Sequence, residues 1–520
     1  LLEHTLTYEK TFNEKHHFNA LVGYSAQKAS SESSYISASQ FPDDAIQWIN
    51  VATTKLGNAS MSQWSILSQI GRLNYNYDGK YLASVAFRQD GCSRFGSNNK
   101  WGSFPSVSVG WIASDENFMK SLETVNYLKF RASYGKVGNN NIGDYTYLAT
   151  IQTTNYAFNN TVAPGKTLDR IGNSNLTWET TDQTDIGFDL GLFNDRITFV
   201  YDYYLKTTDG LLYEIAIPTQ SGYGSITSNI GAFKFWGHEF GLETRNLVGR
   251  LKWNSSLNIT FNRNKAIKLG TNDTPIGGYY NQGDYNRTEV GQPLGQFYGY
   301  VYDGVYMTQQ ELDTQPKHAS SMVGTVRMKD ISGPNGVPDG IIDFKDRTFI
   351  GNPNPNFIFG ISNEFNYKNF DASIVLAGSV GGDILDGTLE WTENIDGVFN
   401  VTKEIAQRWR SVANPGNGNI PRTRSGTTEL FRYNNTRWVS DGSYIAAKNI
   451  SLGYTLPLIG KEYIKKARLY VSVQNAFVLT KYHGMNPEVS TSGLNGLFLG
   501  VDASSYPVSS IYTVGVNITL

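Results

Sequence analysis

Four aspartates in one glycine-rich segment have the clearest metal chemistry in this 520-residue chain. They are Asp330, Asp339, Asp343 and Asp346. Carboxylate oxygens grouped around glycines are the ligands that a Ca²⁺ loop needs, but Pro334 occupies a ligand position of the EF-hand spacing and no Glu closes the loop. Two interpretations follow, a structural Ca²⁺ site at these aspartates or a rigid Asp-Gly turn. The sequence calls for no other cofactor.

Aromatic residues in the polar loops are the second group with binding chemistry. The candidates are Tyr279, Tyr280, Tyr285 and Trp391. Flat aromatic faces beside hydrogen-bonding groups suit sugar or peptide ligands. An aromatic girdle or a loop core would use the same residues, so both interpretations stay open.

No motif for covalent catalysis is present. The sequence has no nucleophile elbow, phosphate-binding loop or dinucleotide fingerprint. Cys92 is the single cysteine, and no histidine has a partner four residues on, which disfavours zinc. Nothing places two carboxyl groups about 5–9 Å apart, as a glycoside hydrolase requires. We therefore predict a protein that is not an enzyme. The net charge of −2 also gives no footprint for nucleic acid.

The elements that must position these loops are alternating β-strands. From Leu251 to Asn262, apolar residues face one side and Lys, Asn and Thr face the other. Strands of this kind are predicted at 1–8, 20–27, 63–77, 81–89, 104–112, 128–137, 181–190, 197–204, 239–246, 251–262, 357–366, 370–376, 444–454, 468–475 and 512–520. The low charged fraction of 17% and the aromatic fraction of 13% suit strands with one face in lipid and one in water.

Short and long connections largely alternate between these strands. The long ones are polar and cover 29–62, 90–103, 138–175, 267–296, 381–436 and 483–510, and a short helix is predicted inside one of them at 400–409. Outer-membrane barrels have short periplasmic turns and long extracellular loops. A secreted or surface β-sandwich that binds glycan without transport is the alternative, because its strands also alternate.

Several longer segments match one family in order along the chain. They include LKFRASYG at 128–135, LTWETT at 176–181, GQPLG at 291–295, DGSY at 441–444, NISLGY at 449–454 and NPEV at 486–489. With these segments the chain resembles the C-terminal part of the β-barrel of SusC/RagA-like TonB-dependent outer-membrane transporters.

The resemblance implies an all-β fold, a transmembrane antiparallel β-barrel. Such barrels have 22 strands and a plugged lumen, of which we expect about 14–16 within residues 1–520. Residues 1–520 would then be the C-terminal portion of the barrel. The plug domain, the TonB box and the signal peptide are not expected within them.

The function implied by the resemblance is TonB-energised import of a nutrient, either a glycan or an oligopeptide. The implied location is the outer membrane of a Gram-negative bacterium, where lipid surrounds the strands. The implied partners are a SusD-like surface lipoprotein that acts as a lid and a TonB–ExbB–ExbD complex that acts through the plug.

Overall fold

The computed structural model describes residues 1–270, 272–280, 283–393, 399–422, 430, 433–457, 464–488, 490–491, 493 and 495–519. In the first half of the chain the strands are β1 (Leu2–Phe12), β2 (His16–Ser39), β3 (Thr54–Tyr77), β4 (Tyr81–Cys92), β5 (Trp101–Ile112), β6 (Val125–Asn139), β7 (Thr150–Phe158), β8 (Thr161–Arg170), β9 (Glu179–Leu192), β10 (Ile197–Asp209), β11 (Leu212–Ala216), β12 (Ser225–Asn229), β13 (Ala232–Val248) and β14 (Leu251–Lys268).

The strands of the second half are β15 (Ile276–Tyr280), β16 (Gly283–Thr288), β17 (Gln296–Tyr300), β18 (Tyr302–Val305), β19 (Val326–Met328), β20 (Arg347–Gly351), β21 (Phe357–Tyr367), β22 (Phe370–Val380), β23 (Asp383–Asp386), β24 (Val439–Asp441), β25 (Tyr444–Thr455), β26 (Lys466–Thr480), β27 (Val501–Asp502) and β28 (Ile511–Thr519). The α-helices are α1 (Gln309–Thr314) and α2 (Leu389–Thr392), and 3₁₀ helices lie at Ile49–Val51, Ala113–Asp115, Thr219–Ser221, Phe344–Asp346, Lys403–Gln407 and Thr436–Trp438.

Fifteen strands of the described residues form one antiparallel sheet, which confirms the prediction of about 14–16. The hydrogen-bonded order is β1-β2-β3-β4-β5-β6-β9-β10-β13-β14-β21-β22-β25-β26-β28. Each predicted strand falls in one of them, except that Leu520 lies outside the described residues. The remaining strands form small sheets within the long connections: β7-β8, β11-β12, β15-β16-β17-β20, β18-β19 and β24-β23-β27.

The pairing of β14 with β21 shows why the register is specific. Trp253 lies opposite Phe365, with stacked rings 5.6 Å apart, and Leu257 lies opposite Ile361. On the other face, Asn254 lies opposite Glu364. A shift by one residue would exchange the two faces, so the alternation of apolar and polar residues fixes which residues are partners.

The apolar face of the sheet is exposed. In β28, Val514 is 84% exposed and Ile518 is 56% exposed, and Val22, Val85 and Ile186 on other strands of the sheet are each more than half exposed. A water-soluble sandwich would bury such a face against a second sheet. The exposure indicates that lipid is the solvent of this face. No helix in the described part of the chain has the length and apolarity to cross a bilayer.

The first of two compact units comprises residues 1–116, 130–186 and 206–232. Its buried cluster lies where strands run into loops and contains Cys92, Phe95, Phe104, Leu176 and Trp178. The Trp178 ring lies 5.3 Å from Phe104, and its indole N–H donates to the Lys100 carbonyl at 2.9 Å.

The second unit comprises residues 117–129, 187–205 and 233–520. One buried cluster contains Tyr285, Phe297, Leu385, Trp438 and Val501. Another contains Tyr300, Val326, Met328, Ile342 and Leu430. In this unit the buried cores therefore lie among the long connections and not on the face of the large sheet.

Two predictions about the connections are wrong. The connection 29–62 is mostly strand, because β2 continues to Ser39 and β3 begins at Thr54. The helix predicted at 400–409 is a 3₁₀ helix over Lys403–Gln407. Thr402, at its N-cap, accepts no backbone hydrogen bond through its side chain, so the first helical turn lacks the cap that would favour a longer helix.

Candidate functional site

A polar cleft lies on the second unit, near the short turns of the large sheet. It has a volume of about 270 Å³. Its lining residues are Asp195, Thr198, Glu243, Thr244, Arg245, Asn254, Ser255, Ser256, Ser362 and Glu364. Glu243 and Arg245 are two residues apart, as are Ser362 and Glu364, so each pair lies on one face of its strand. The cleft shows that the polar face presents hydrogen-bonding groups and net negative charge to water.

The long connections of the second unit form a loop assembly that we define as the three sheets β15-β16-β17-β20, β18-β19 and β24-β23-β27 with α2. Tyr285 in β16 is 1% exposed, and its hydroxyl donates to the Glu390 carboxylate of α2, which is also 1% exposed. Phe297, Leu385, Trp438 and Val501, the other members of their buried cluster, pack around Tyr285. Tyr285 therefore belongs to the loop core.

The other aromatic candidates differ in what the structure describes. Trp391 in α2 is half-buried and packs edge-on against Phe399, with ring centroids 5.1 Å apart. Tyr279 and Tyr280 lie in β15, but their side chains lie outside the described residues. Of the two candidates whose side chains are described, Tyr285 is buried and Trp391 is half-buried. Ligand binding by the four candidates stays a prediction.

A buried ion pair joins Glu393, at the end of α2, to Arg437. Glu393 is 2% exposed, and its carboxylate accepts from the Arg437 guanidinium. Burial raises the pKa of Glu393, and the charge of Arg437 opposes that rise. Arg437 also lies over the ring of Tyr302, 5.8 Å from its centroid, and burial raises the pKa of Tyr302 to about 12. A cation at position 437 thus compensates a carboxylate that water does not reach.

Two pairs of aspartates face each other in the sheet β24-β23-β27. Asp386 pairs with Asp502 across parallel strands, and Asp383 pairs with Asp441 across antiparallel strands. Burial raises the pKa of Asp386, and the charge of Asp502 raises it further. Asp502 is 3% exposed and accepts from the Tyr482 hydroxyl at 2.8 Å. Sequence reasoning missed these pairs, because residues far apart in the chain meet in strands of only two to four residues.

Asp346 organises the aspartate-rich segment through the backbone. It is fully buried; its Oδ1 accepts from the N–H groups of Ile331 at 2.9 Å and Ser332 at 3.2 Å, and its Oδ2 accepts from the N–H of Asp343 at 2.8 Å. Asp343 caps the 3₁₀ helix Phe344–Asp346 by accepting from the Lys345 N–H at 2.8 Å. That bond is the main cause of its lowered pKa.

The other two aspartates also act on the backbone. Asp330 accepts from the Gly340 N–H at 2.7 Å, and Asp339 accepts from the Ile341 N–H at 3.0 Å. Among the residues described, no three His, Cys, Asp or Glu side chains are grouped to hold a metal ion. The contacts that the structure shows for the four aspartates are the backbone hydrogen bonds of the rigid-turn interpretation. Ca²⁺ binding itself remains a prediction.

Comparison with known families gives one match along most of the chain. Residues 2–476 match the family model described as TonB dependent receptor-like, beta-barrel. The chain is similar to TonB-dependent receptor P3 of Formosa agariphila, with 35% identity over 532 residues that cover 99% of this chain and 52% of that protein. It is also similar to TonB-dependent receptor SusC of Bacteroides thetaiotaomicron, with 31% identity over 87% of this chain and 44% of that protein.

Comparison with solved structures agrees. The RagAB peptide transporter superposes with a TM-score of 0.83 and 25% identity, covering 99% of this chain and 55% of that chain. The chain spans about half the length of the curated relatives it matches.

Proposed function

The chain belongs to the TonB dependent receptor-like β-barrel family, and we propose that it serves energy-coupled import of a nutrient glycan or oligopeptide. The protein is an outer-membrane protein, and its family consists of receptors and transporters, not enzymes. The β-sandwich alternative is wrong, because the chain has the β-barrel fold of this family and exposes the apolar face of its sheet.

The observation that supports the proposal is that one face of the large sheet is apolar and the other is polar. Val514 points an apolar side chain to one side of β28, and Thr513 points a hydroxyl to the other. In the second unit, the polar side presents the cleft with Glu243, Arg245 and Glu364. A wall with lipid on one side and polar groups on the other suits the passage of a hydrated ligand.

The relatives of the chain support the proposed class of ligand. The solved relative with a TM-score of 0.83 is a peptide transporter, and a curated relative is SusC. For this chain we propose an oligopeptide or an oligosaccharide, since either could use the hydroxyl, amide and carboxylate groups of the polar face. Asn254, Ser256 and Ser362 offer such groups within the cleft.

We further propose two partners. A SusD-like surface lipoprotein would cover the extracellular loops, and a TonB–ExbB–ExbD complex would supply energy from the inner membrane. Both are supported by the likeness to SusC and RagAB. The loop assembly offers an ordered platform for a lid, because its sheets enclose buried cores of their own.

Uptake in cells with and without TonB tests this function. The full-length protein would be expressed in its native host, and the accumulation of fluorescent oligosaccharides and oligopeptides of similar size would be measured. We expect one class to accumulate only when TonB is present, while surface binding survives TonB deletion. Accumulation that is equal without TonB would show a passive pore and overturn the energy-coupled mechanism.

A further inference from the structure

A band of aromatic side chains crosses the apolar face of four neighbouring strands, β10, β13, β14 and β21. Its members, all in the second unit, are Tyr201, Tyr203, His238, Phe240, Phe261 and Phe357. Between ring centroids, Tyr203 lies 5.1 Å from His238, and Phe261 lies 5.4 Å from Phe357. Girdles of aromatic residues mark the two borders of the hydrocarbon layer around a transmembrane barrel. We call this group the outer aromatic band.

The length of β14 places the band at the outer border of the bilayer. β14 begins at Leu251 directly after the short turn 249–250, and Phe261 is its eleventh residue. Short turns are periplasmic in such barrels, and a membrane-spanning strand needs about 9–11 residues. Residues of β14 beyond Phe261 therefore reach the headgroup region of the outer leaflet.

Three cationic residues lie directly beyond the band. Arg263 and Lys265 follow Phe261 by two and four residues, and Lys234 precedes His238 by four residues. Because side chains on one face of a strand recur every second residue, the three lie on the same face as the band. We call Lys234, Arg263 and Lys265 the basic patch.

The contacts of Asn264 agree with this direction. Its side-chain oxygen accepts from the Leu294 N–H at 2.7 Å, and its amide donates to the Asn354 side chain at 2.8 Å. Asn264 is thus directed toward the loops of the second unit. Arg263 and Lys265, which alternate with it along β14, point to the opposite side, where the sheet meets lipid.

The β13–β14 hairpin brings two lysines together. Counted from the two-residue turn at 249–250, Lys234 lies opposite Lys265. A Cβ at Gly237 would meet the carbonyl oxygen of Phe261, which agrees with this register. Like charges directly opposite each other destabilise a pair of strands, so an anion between the two ammonium groups would stabilise the hairpin.

Arg263 and Trp236 lie beside the two lysines. The Arg263 guanidinium donates through Nη1 to the carbonyls of Asn262 and Asn356, at 2.7 Å and 2.8 Å. Its N–H groups on Nε and Nη2 have no partner among the described residues. The Lys234 ammonium lies 5.9 Å from the centroid of the Trp236 ring. Donors and an apolar ring surface therefore occur together at this border.

No carboxylate of the described residues neutralises the patch. Lys234, Arg263 and Lys265 form no ion pair within that part of the chain. Two acidic residues of the connection after β14 have other partners: Glu289 pairs with Arg287, and Asp273 accepts from a backbone N–H at 2.8 Å. The patch thus presents three positive charges to the headgroup layer.

We propose that the basic patch binds the phosphate group of an anionic lipid in the outer leaflet, with the acyl chains against the outer aromatic band. Lysine and arginine clusters beside a bilayer bind anionic headgroups, and the guanidinium group suits phosphate geometry. β10, β13, β14 and β21 each have hydrogen-bonded neighbours on both sides. The site is independent of the ligand that the protein transports.

Lipid titration of the purified full-length protein in neutral detergent tests the site. Native mass spectrometry would count bound phosphatidylglycerol and, with the same acyl chains, phosphatidylcholine. We expect tighter binding of phosphatidylglycerol, and Lys265→Gln should weaken it about fivefold, as for one cation near an anionic surface. Lys268→Gln is the matched control, since Lys268 is also exposed on β14 but belongs to its other face. It should leave the affinity unchanged.

Unfolding in bilayers gives the second measurement. In phosphatidylcholine, Lys265→Gln should unfold at the same or a higher urea concentration than the unsubstituted protein, because its repulsion with Lys234 is gone. Phosphatidylglycerol should then stabilise the unsubstituted protein more than the variant. Equal binding of the two lipids, equal losses at 265 and 268, or equal stabilisation of both proteins would overturn the proposal. Displacement of the lipid by inorganic phosphate at the same concentration would also overturn it, because a free anion would then be the ligand.

Discussion

Buried carboxylates in this protein act mainly on nearby backbone and side-chain donors, and Asp346 is the clearest case. Its two oxygens accept three backbone N–H groups, so a single side chain joins residues 331–332 to the start of a 3₁₀ helix. Asp330 and Asp339 make the same kind of bond within the exposed part of the segment. The sequence pattern that suits Ca²⁺ ligands also suits this backbone role, because both use carboxylate oxygens next to glycines.

Replacing Asp346 distinguishes the backbone role of the aspartates from a role as Ca²⁺ ligands. Asp346→Asn introduces an amide donor where only acceptors are needed, and we expect it to destabilise the segment by about 1–3 kcal/mol through unsatisfied N–H groups. Proteolysis of the segment in the full-length protein, followed against urea concentration, measures the change. Asp339→Asn, with one exposed backbone bond, is the control and should cost less. A loss that appears only when Ca²⁺ is present would favour the metal interpretation.

The Asp386–Asp502 pair predicts an unusual response to pH. The pKa of Asp386 is raised, first by burial and then by the charge of Asp502. A carboxyl whose pKa is higher in the folded chain binds its proton more tightly when folded, so acidification stabilises the fold around it. The gain accrues as the pH falls through the raised pKa and ends near the ordinary Asp value of about 4.

Protection of the connection around β23 from protease, measured from neutral pH down to the ordinary Asp value of about 4, tests this sign. Protection should increase as the pH falls. Asp386→Asn should raise protection at neutral pH and weaken the dependence, because the amide resembles the protonated acid. Part of the dependence should remain, since burial also raises the pKa of Asp383 in the same strand. Reduced protection in Asp386→Asn at every pH would mean that the charged carboxylate is needed, contrary to the account.

Among the elements, the strands of the large sheet are predictable and the small sheets are not. Each strand of the large sheet has solvents of different polarity on its two faces, so apolar and polar residues must alternate, and this alternation is visible in the sequence. β23 has four residues and pairs with β24 and β27, far away in the chain. Such short partners carry no periodic signal. The part of β2 after Gln27 and the part of β3 before Gln63 escaped prediction because they are rich in Ser, which gives no apolar stripe.

The same charged substitution should lower the stability of the folded barrel by different amounts on the lipid face and on the water face of one strand. Val514→Arg in β28 should cost about 2–4 kcal/mol if the residue lies near the bilayer midplane. Thr513→Arg, one residue away on the polar face, should cost less. Unfolding of the full-length protein in lipid, measured against denaturant, gives both values. Equal costs would mean that both faces meet the same environment.

For the whole molecule, family and fold are established along residues 2–476 and the transport activity is proposed. Sequence motifs were sufficient to identify the family, because segments such as LTWETT at 176–181 match it in order along the chain. They were not sufficient for a ligand site, because the groups that meet in the cleft come from four strands and a turn. The proposed transport requires that the large sheet separate lipid from a water-filled path.

Cysteine scanning along β14 in the outer membrane measures that separation directly. Single cysteines would replace residues 253, 254, 256, 257, 258 and 259 in the full-length protein, where the native Cys92 is fully buried. The account predicts that a membrane-impermeant maleimide labels positions 254, 256 and 258, while positions 253, 257 and 259 react only with a lipid-soluble reagent. Labelling without this period of two, or with the two sets exchanged, would contradict it.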